Sequence, residues 1–436
     1  MRRTVLALAL VLAGVSSMAR AEEPAKPAEE EQVLEAETTL PAVIDAVEID
    51  GLWRTKPLVV TRELPWKTGE TVTPAAWKLG IERLWNLPIF SRVEGRLFRR
   101  DGKLVARVEI EERWTINLIL RFGVGGGTGW WALGLSEINF AGRLIETAGY
   151  FQRFGDLNGG EAWVRDPRFL NKRDELSFTA GQLGRPRPDY VVLRASGRLE
   201  FTHQIDDEHL LGGRLEVMHD RLRAADHADG HRDKPGQRAP VDDAGASADS
   251  TTGVVSGLVR LGRIKTTRLT YEGWQFDLRP ALFVTNDRDA FGFGQLQAQL
   301  LYFNRLRPAT NLGVRLMGGA TTPAPSQQLF YVGGLDLVRG LPDNALTTTA
   351  FVLGNVELRQ IFFDSTWFAI MGVAFVDGVV AREAKGSNVA IVAPGLGLRF
   401  MIPRLVQSGL RIDYAVPMPW ADFDPRMPSI GVWQFF

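Results

Sequence analysis

From Arg113 to the C-terminus, apolar and polar positions alternate in short segments separated by Gly, Asp, Asn and Pro turns. The alternation is clearest late in the chain. In Gly395–Ile402, Leu396, Leu398, Phe400 and Ile402 share one face, and Gly395, Gly397 and Arg399 share the other. In Leu410–Val416, Leu410, Ile412, Tyr414 and Val416 oppose Arg411 and Asp413. Successive side chains of a strand point to opposite faces, so each segment predicts a strand with one apolar and one charged face. At roughly twenty residues per strand and connection, residues 113–436 accommodate about sixteen antiparallel strands, an even number as a bacterial single-chain barrel requires. Apolar residues facing out and charges facing in describe a lipid-facing wall around a wet lumen. A soluble β-sandwich alternates similarly but is usually shorter.

Residues 43–112 carry a different pattern. Val43–Asp50 predicts a strand. Thr55-Lys56-Pro57 predicts a helix to about Leu64, with threonine as N-cap and proline in the first turn. Thr73-Pro74 opens a second helix in which Trp77, Ile81, Leu84 and Trp85 form one apolar stripe, read as core. Ser91–Arg99 and Lys103–Ile110 alternate around Asp101-Gly102, a hairpin signal. The order is β-α-α-β-β, a small α+β domain.

Composition adds a compartment. Arg2 and Arg3, the apolar Val5–Val15 and Ala19-Arg20-Ala21 predict a signal peptide over residues 1–21. Residues 22–42 are acidic and rich in Ala and Pro, the composition of a flexible linker. The 51 basic and 51 acidic residues balance, so nothing favours nucleic acid as a partner. The absence of cysteine removes disulfides and thiolate chemistry. No serine-hydrolase, zinc-protease or phosphate-loop motif occurs, so no enzyme and no cofactor are expected. Arg221–Thr252 is a polar insertion with the composition of a mobile extracellular loop. The histidines at 203, 209, 219, 227 and 231 match no zinc spacing and are read as solvated loop residues; no metal is expected.

The candidate chemistry lies at Gln328–Asn344, QLFYVGGLDLVRGLPDN. Glycines flank Arg339 on both sides and let the backbone fold closely around it. Two strand-like segments follow, one with Glu357 in GNVELR and one with Asp377 in FVDG. Period 2 puts Asn355, Glu357 and Arg359 on the lumen face, Val356 and Leu358 on the lipid face, and Asp377 likewise inward. This arrangement resembles the BamA/TamA-like superfamily of outer-membrane assembly and translocation proteins. In that family a long loop folds back into the barrel and its VRG[YF] tip docks on inward-facing acids. The tip here, Val338-Arg339-Gly340, continues with Leu341 in place of the aromatic residue. Residues 43–112 resemble a POTRA domain, with WNLPIFSRVEGRL followed by DGKLVARVEIEERWTI, and SEINFAG and RDPRFLN resemble turn motifs of the family barrel.

The resemblance implies a membrane β-barrel over residues 113–436 preceded by one POTRA domain over 43–112. It implies a loop lock of Val338, Arg339, Gly340, Glu357 and Asp377. Arg359 is a competitor for Glu357, which makes Asp377 the more reliable partner. The resemblance further implies a seam between first and last strands, carrying Ile116, Phe122, Trp433 and Phe436. The chain ends on an aromatic, as the family's assembly signal does, although Gln434 stands where an apolar residue is usual. The partners implied are outer-membrane lipids, unfolded client proteins at the POTRA edge strand and at the seam, and accessory periplasmic or inner-membrane proteins. The expected function is insertion or translocation of other proteins. A two-partner-secretion transporter and a non-translocating surface pore are the alternatives.

Overall fold

A computed structural model describes residues 32–125, 128–187, 190–224, 249–267, 269–286, 291–365, 367–402, 408–418 and 429–434. The expected signal peptide, residues 22–31, most of the polar insertion, His227, His231 and Phe436 lie outside the described residues. The chain divides into two compact units, Met1–Leu52 with Glu63–Glu111, and Trp53–Arg62 with Glu112–Phe436.

The first unit is a small α+β, POTRA-like fold. Its four-stranded sheet runs in the order Gln32–Leu34, Phe90–Arg100, Lys103–Glu112, Ala46–Asp50. Ala46–Asp50 is parallel to its neighbour and the other pairings are antiparallel. The helix Pro74–Trp85 is capped by Thr73, whose Oγ1 accepts the Ala76 N–H at 3.2 Å. Trp77 and Leu84 are buried and Trp77 stacks on Trp66, with ring centroids 5.8 Å apart. Trp85, expected in the core, is instead exposed, because it sits at the last helical position. The flexible linker expected over 22–42 also needs correction. Gln32–Leu34 is a strand on the sheet edge, and Ala36–Thr39 is a helical turn. An edge strand offers unpaired N–H and C=O groups, and these recruit a segment whose own composition would leave it unstructured.

The second unit begins with Trp53–Arg62, where the expected helix is short, covering only Pro57–Thr61. Its N-cap is Lys56 and not Thr55. The Thr55 hydroxyl is engaged elsewhere, accepting from Asn139 Nδ2 at 2.9 Å. Around it, Glu112 Oε1 accepts the N–H groups of Trp53, Arg54 and Thr55, and Arg54 donates to Glu137 at 2.8 Å. The SEINFAG turn is thus the socket for this segment.

The rest is a closed antiparallel barrel whose wall has sixteen strands among the described residues, from Ile116–Gly125 to Ser429–Gln434. Hairpin neighbours pair along most of their length; Tyr190–Gln204, for example, registers from Tyr190↔Ala224 to Gln204↔Leu210. Leu133, Leu135, Val356, Leu358, Leu396 and Leu398 are exposed on the outer face, while Glu357, Arg399, Arg411 and Asp413 are buried on the inner one. The strands His209–Ala224 and Ser250–Thr267 extend into the expected polar loop. His203 and His219 are strand residues and not loop residues. His203 lies 2.6 Å from Asp174 and His219 lies 3.0 Å from Thr251.

Candidate functional site: the inward loop and the seam

Between the wall strands Thr310–Thr321 and Leu346–Asp364, the chain folds inward. Phe330–Val332 pairs with Leu346–Thr348, and the chain then reverses at Gly333-Gly334. Gly334 has φ +82°, and a Cβ there would lie 2.1 Å from Asp343 Oδ1, so this reversal requires glycine. Gly340, at φ +86°, makes the second reversal, immediately after Arg339. Val338 and Leu341 are fully buried, so the leucine in the fourth position of the tip is an apolar anchor.

Arg339 is thereby placed against the wall with its guanidinium 5% exposed. Its Nε and Nη2 donate to Asp377 Oδ2 and Oδ1 at 2.7 and 2.6 Å, and its backbone N–H donates to Asp377 Oδ2 at 3.0 Å. Nη1 donates to Glu357 Oε1 at 2.6 Å. Beneath it lies the Phe375 ring, 3.4 Å from the guanidinium carbon to the centroid. A planar fork fits a carboxylate in this way, and a point charge does not. Arg359 takes the other Glu357 oxygen at 2.8 Å, so the two cations share that acid while Asp377 is held by Arg339 through both oxygens.

Sequence reasoning placed Arg399, Arg411 and Asp413 inward but did not connect them to this cluster. Asp413 accepts from Arg399 Nη1 at 2.6 Å and lies 3.6 Å from Arg339 Nη1. Arg411 donates to the Leu335 carbonyl, and Arg315 donates to the Asp336 carbonyl at 2.5 Å and to Asn355 Oδ1 at 2.7 Å. The loop is therefore gripped through its backbone as well as through its arginine.

A second attachment was not foreseen. Gln328 Nε2 donates to Asp220 at 2.9 Å, within the Arg194–Asp220 pair of another part of the wall. The Tyr331 hydroxyl lies 2.8 Å from that of Tyr190, and Asn344 exchanges hydrogen bonds with Arg187 and the Pro186 carbonyl. The loop is fastened to two separate stretches of wall, the strands within 346–415 through Arg339 and those within 174–224 through Gln328, Tyr331 and Asn344. Its only sequence signal was polarity: two glutamines beside an apolar run.

The barrel closes between Ile116–Gly125 and Ser429–Gln434, registered at Gly123↔Gly431 and Val124↔Ile430 among the described residues. By contrast, Ile116–Gly125 pairs with its other neighbour from Ile116↔Glu137 to Gly125↔Thr128. Ile116 and Phe122 are exposed and precede the paired residues in the strand. Trp433 registers with Gly409 on the neighbouring strand, and the register with Ile116–Gly125 among the described residues does not include it. A glycine–glycine pair contributes no cross-strand side-chain contact. A Cβ on Gly431 would lie 2.9 Å from Leu335 Cδ2, so the loop reaches the last strand directly.

Three comparisons bear on this arrangement. No protein of curated function matches the sequence. The fold is similar to the crystal structure of BamA from Haemophilus ducreyi lacking POTRA domains 1–3, with TM-score 0.67, 15% identity, and 89% of this chain and 84% of that chain covered. It is also similar to CdiB from Escherichia coli, with TM-score 0.65, 13% identity, and 92% and 79% covered. CdiB from Acinetobacter baumannii gives TM-score 0.60, 12% identity, and 92% and 77% covered. Residues 158–436, more than half of the chain, match the Omp85 superfamily domain. The chain belongs to the Omp85 superfamily and is an outer-membrane β-barrel of that kind.

Proposed function

We propose that this barrel inserts client strands into the outer membrane sideways, at the seam between its first and last strands, with the inward loop held fixed in the lumen. Handling of other proteins at the outer membrane, by insertion or translocation, is the coarser statement that superfamily membership supports. The observation that carries the finer reading is the seam, registered among the described residues at two pairs, one of them Gly–Gly. A client strand that enters there exchanges a short ladder for a longer one, and its backbone groups are never left unpaired in lipid. Passage through the lumen would instead require the loop to leave its attachments on both stretches of wall, including the buried Arg339 cluster.

Because the chain lacks cysteine, the test is clean. Val124→Cys with Ile430→Cys places two thiols at directly opposed positions of the seam. The protein is reconstituted in liposomes and supplied with a denatured small outer-membrane barrel. The oxidised form is expected to lose client insertion and regain it on reduction. Equal insertion in both states would refute exit at the seam. The secretion alternative predicts that a stapled seam leaves transport of an exoprotein unchanged.

A further inference from the structure

We propose that the N-terminal segment Gln32–Leu34 is a displaceable cap that occupies the strand edge used by incoming clients. This rests on the insertion reading above and adds its regulation: the POTRA-like sheet is closed by the chain's own segment until an extended client replaces it.

Without the cap, Phe90–Arg100 would be an edge strand, because the sheet order places only Gln32–Leu34 beyond it. Among the described residues capping covers three positions, Gln32↔Arg99, Val33↔Phe98 and Leu34↔Leu97. The strand runs on from Phe90 to Arg96 with no partner on that side among the described residues. That free length is a foothold. A client segment can pair first along Phe90–Arg96 and then displace the cap one residue at a time, so the whole edge never has to open at once. Its likeness to a strand-addition site is physical: an unpaired row of N–H and C=O groups binds extended backbone of any sequence that alternates suitably.

The cap is built weakly enough to leave. Among the described residues it is three residues long, and Val33 is 64% exposed, contributing little packing. Its register partners Leu97 and Phe98 are 0% and 4% exposed in the capped sheet. Both sheet edges carry ion-paired side chains, Arg96 with Glu94 on Phe90–Arg100 at 3.0 Å and Glu48 of Ala46–Asp50 with Arg100 and Arg107 at 2.6 and 2.9 Å, so the cap and not charge distinguishes the two.

The full-length protein in nanodiscs tests this. A fluorescein-labelled peptide copying Gln32–Thr39 serves as the probe of edge availability. Val33→Pro removes an N–H from the cap and is expected to raise peptide affinity on the order of tenfold, because it removes a tethered competitor whose effective concentration is about millimolar. Gln32→Cys with Arg99→Cys should form a disulfide in the folded protein, abolish peptide binding, and release it on reduction. If that disulfide does not form without denaturant, the cap is not seated and the proposal fails. If peptide affinity is the same in wild type, Val33→Pro and the oxidised pair, the cap does not govern the edge and the proposal fails. If Val33→Pro binds peptide tightly while neither it nor wild type inserts a client, the cap stands and the insertion reading falls.

Discussion

Arg339 illustrates what a single residue does in a wall of this kind. Desolvating a guanidinium is costly, and here three carboxylates lie within 3.6 Å of it, two of them hydrogen-bonded. Replacing Arg339 with alanine leaves Asp377 buried without its main cation, a change that costs about 3–5 kcal/mol in comparable buried pairs. The wall strands are held by their own ladders, so the expected outcome is an assembled barrel with a released loop. Planar-bilayer recordings should register larger and noisier conductance, and client insertion should fall. Arg339→Lys should rescue poorly, since an ammonium cannot span both Asp377 oxygens. Asp377→Ala should resemble Arg339→Ala, and the double variant should be little worse than either single one; strictly additive losses would contradict the lock. Glu357 and Asp377 were legible as inward acids because period 2 needs only local sequence. Asp413, Arg399 and Arg411 were legible as inward, yet their convergence on Arg339 depends on how distant strands register around the barrel, which no local pattern encodes.

Asp343, at the end of the same loop, supplies a pH dependence. Burial, reinforced by the Asp336 charge, pushes its carboxyl up from the ordinary 3.8 to about 6. The docked loop therefore binds a proton that the free loop has released between those two values. The stabilisation is fully present below 3.8 and is lost as pH rises through about 6. Thermal unfolding should show a higher Tm at pH 5 than at pH 7.5, and Asp343→Asn should flatten that difference. An unchanged difference in the variant would assign the effect to other groups.

At the scale of elements, the sequence was most informative where a cap or a turn is self-contained. Thr73 caps Pro74–Trp85 as its spacing indicates, and Asp101-Gly102 turns the hairpin, with both residues at positive φ. It misled where a tertiary partner outcompetes the local role. Thr55 has the right identity for an N-cap, but Asn139, on the barrel, claims its hydroxyl. Gln32–Leu34 has the composition of a linker, yet an open sheet edge gives it a ladder. His203 and His219 lie in polar surroundings, yet they continue strands whose register is fixed by neighbours. The inward loop was recognisable by its glycines and arginine; its second attachment, through Gln328, Tyr331 and Asn344, rests on neutral hydrogen bonds that leave no charge pattern to read.

For the whole molecule, alternation and length implied the barrel and its approximate strand number, because lipid outside and water inside impose opposite demands on the two faces of every strand. What alternation cannot encode is where the cylinder is weakest. That depends on the pairing of the first strand with the last, and here the described register is confined to Gly123↔Gly431 and Val124↔Ile430. Clients are proposed to leave through this seam. This exit is tested most directly by crosslinking a stalled client to a photoreactive residue placed at Leu120, on the outer face of the first strand, or at Ser196, on a strand remote from the seam. The account predicts adducts at Leu120 and none at Ser196. Adducts at Ser196 with none at Leu120 would contradict it and assign the client to the lumen.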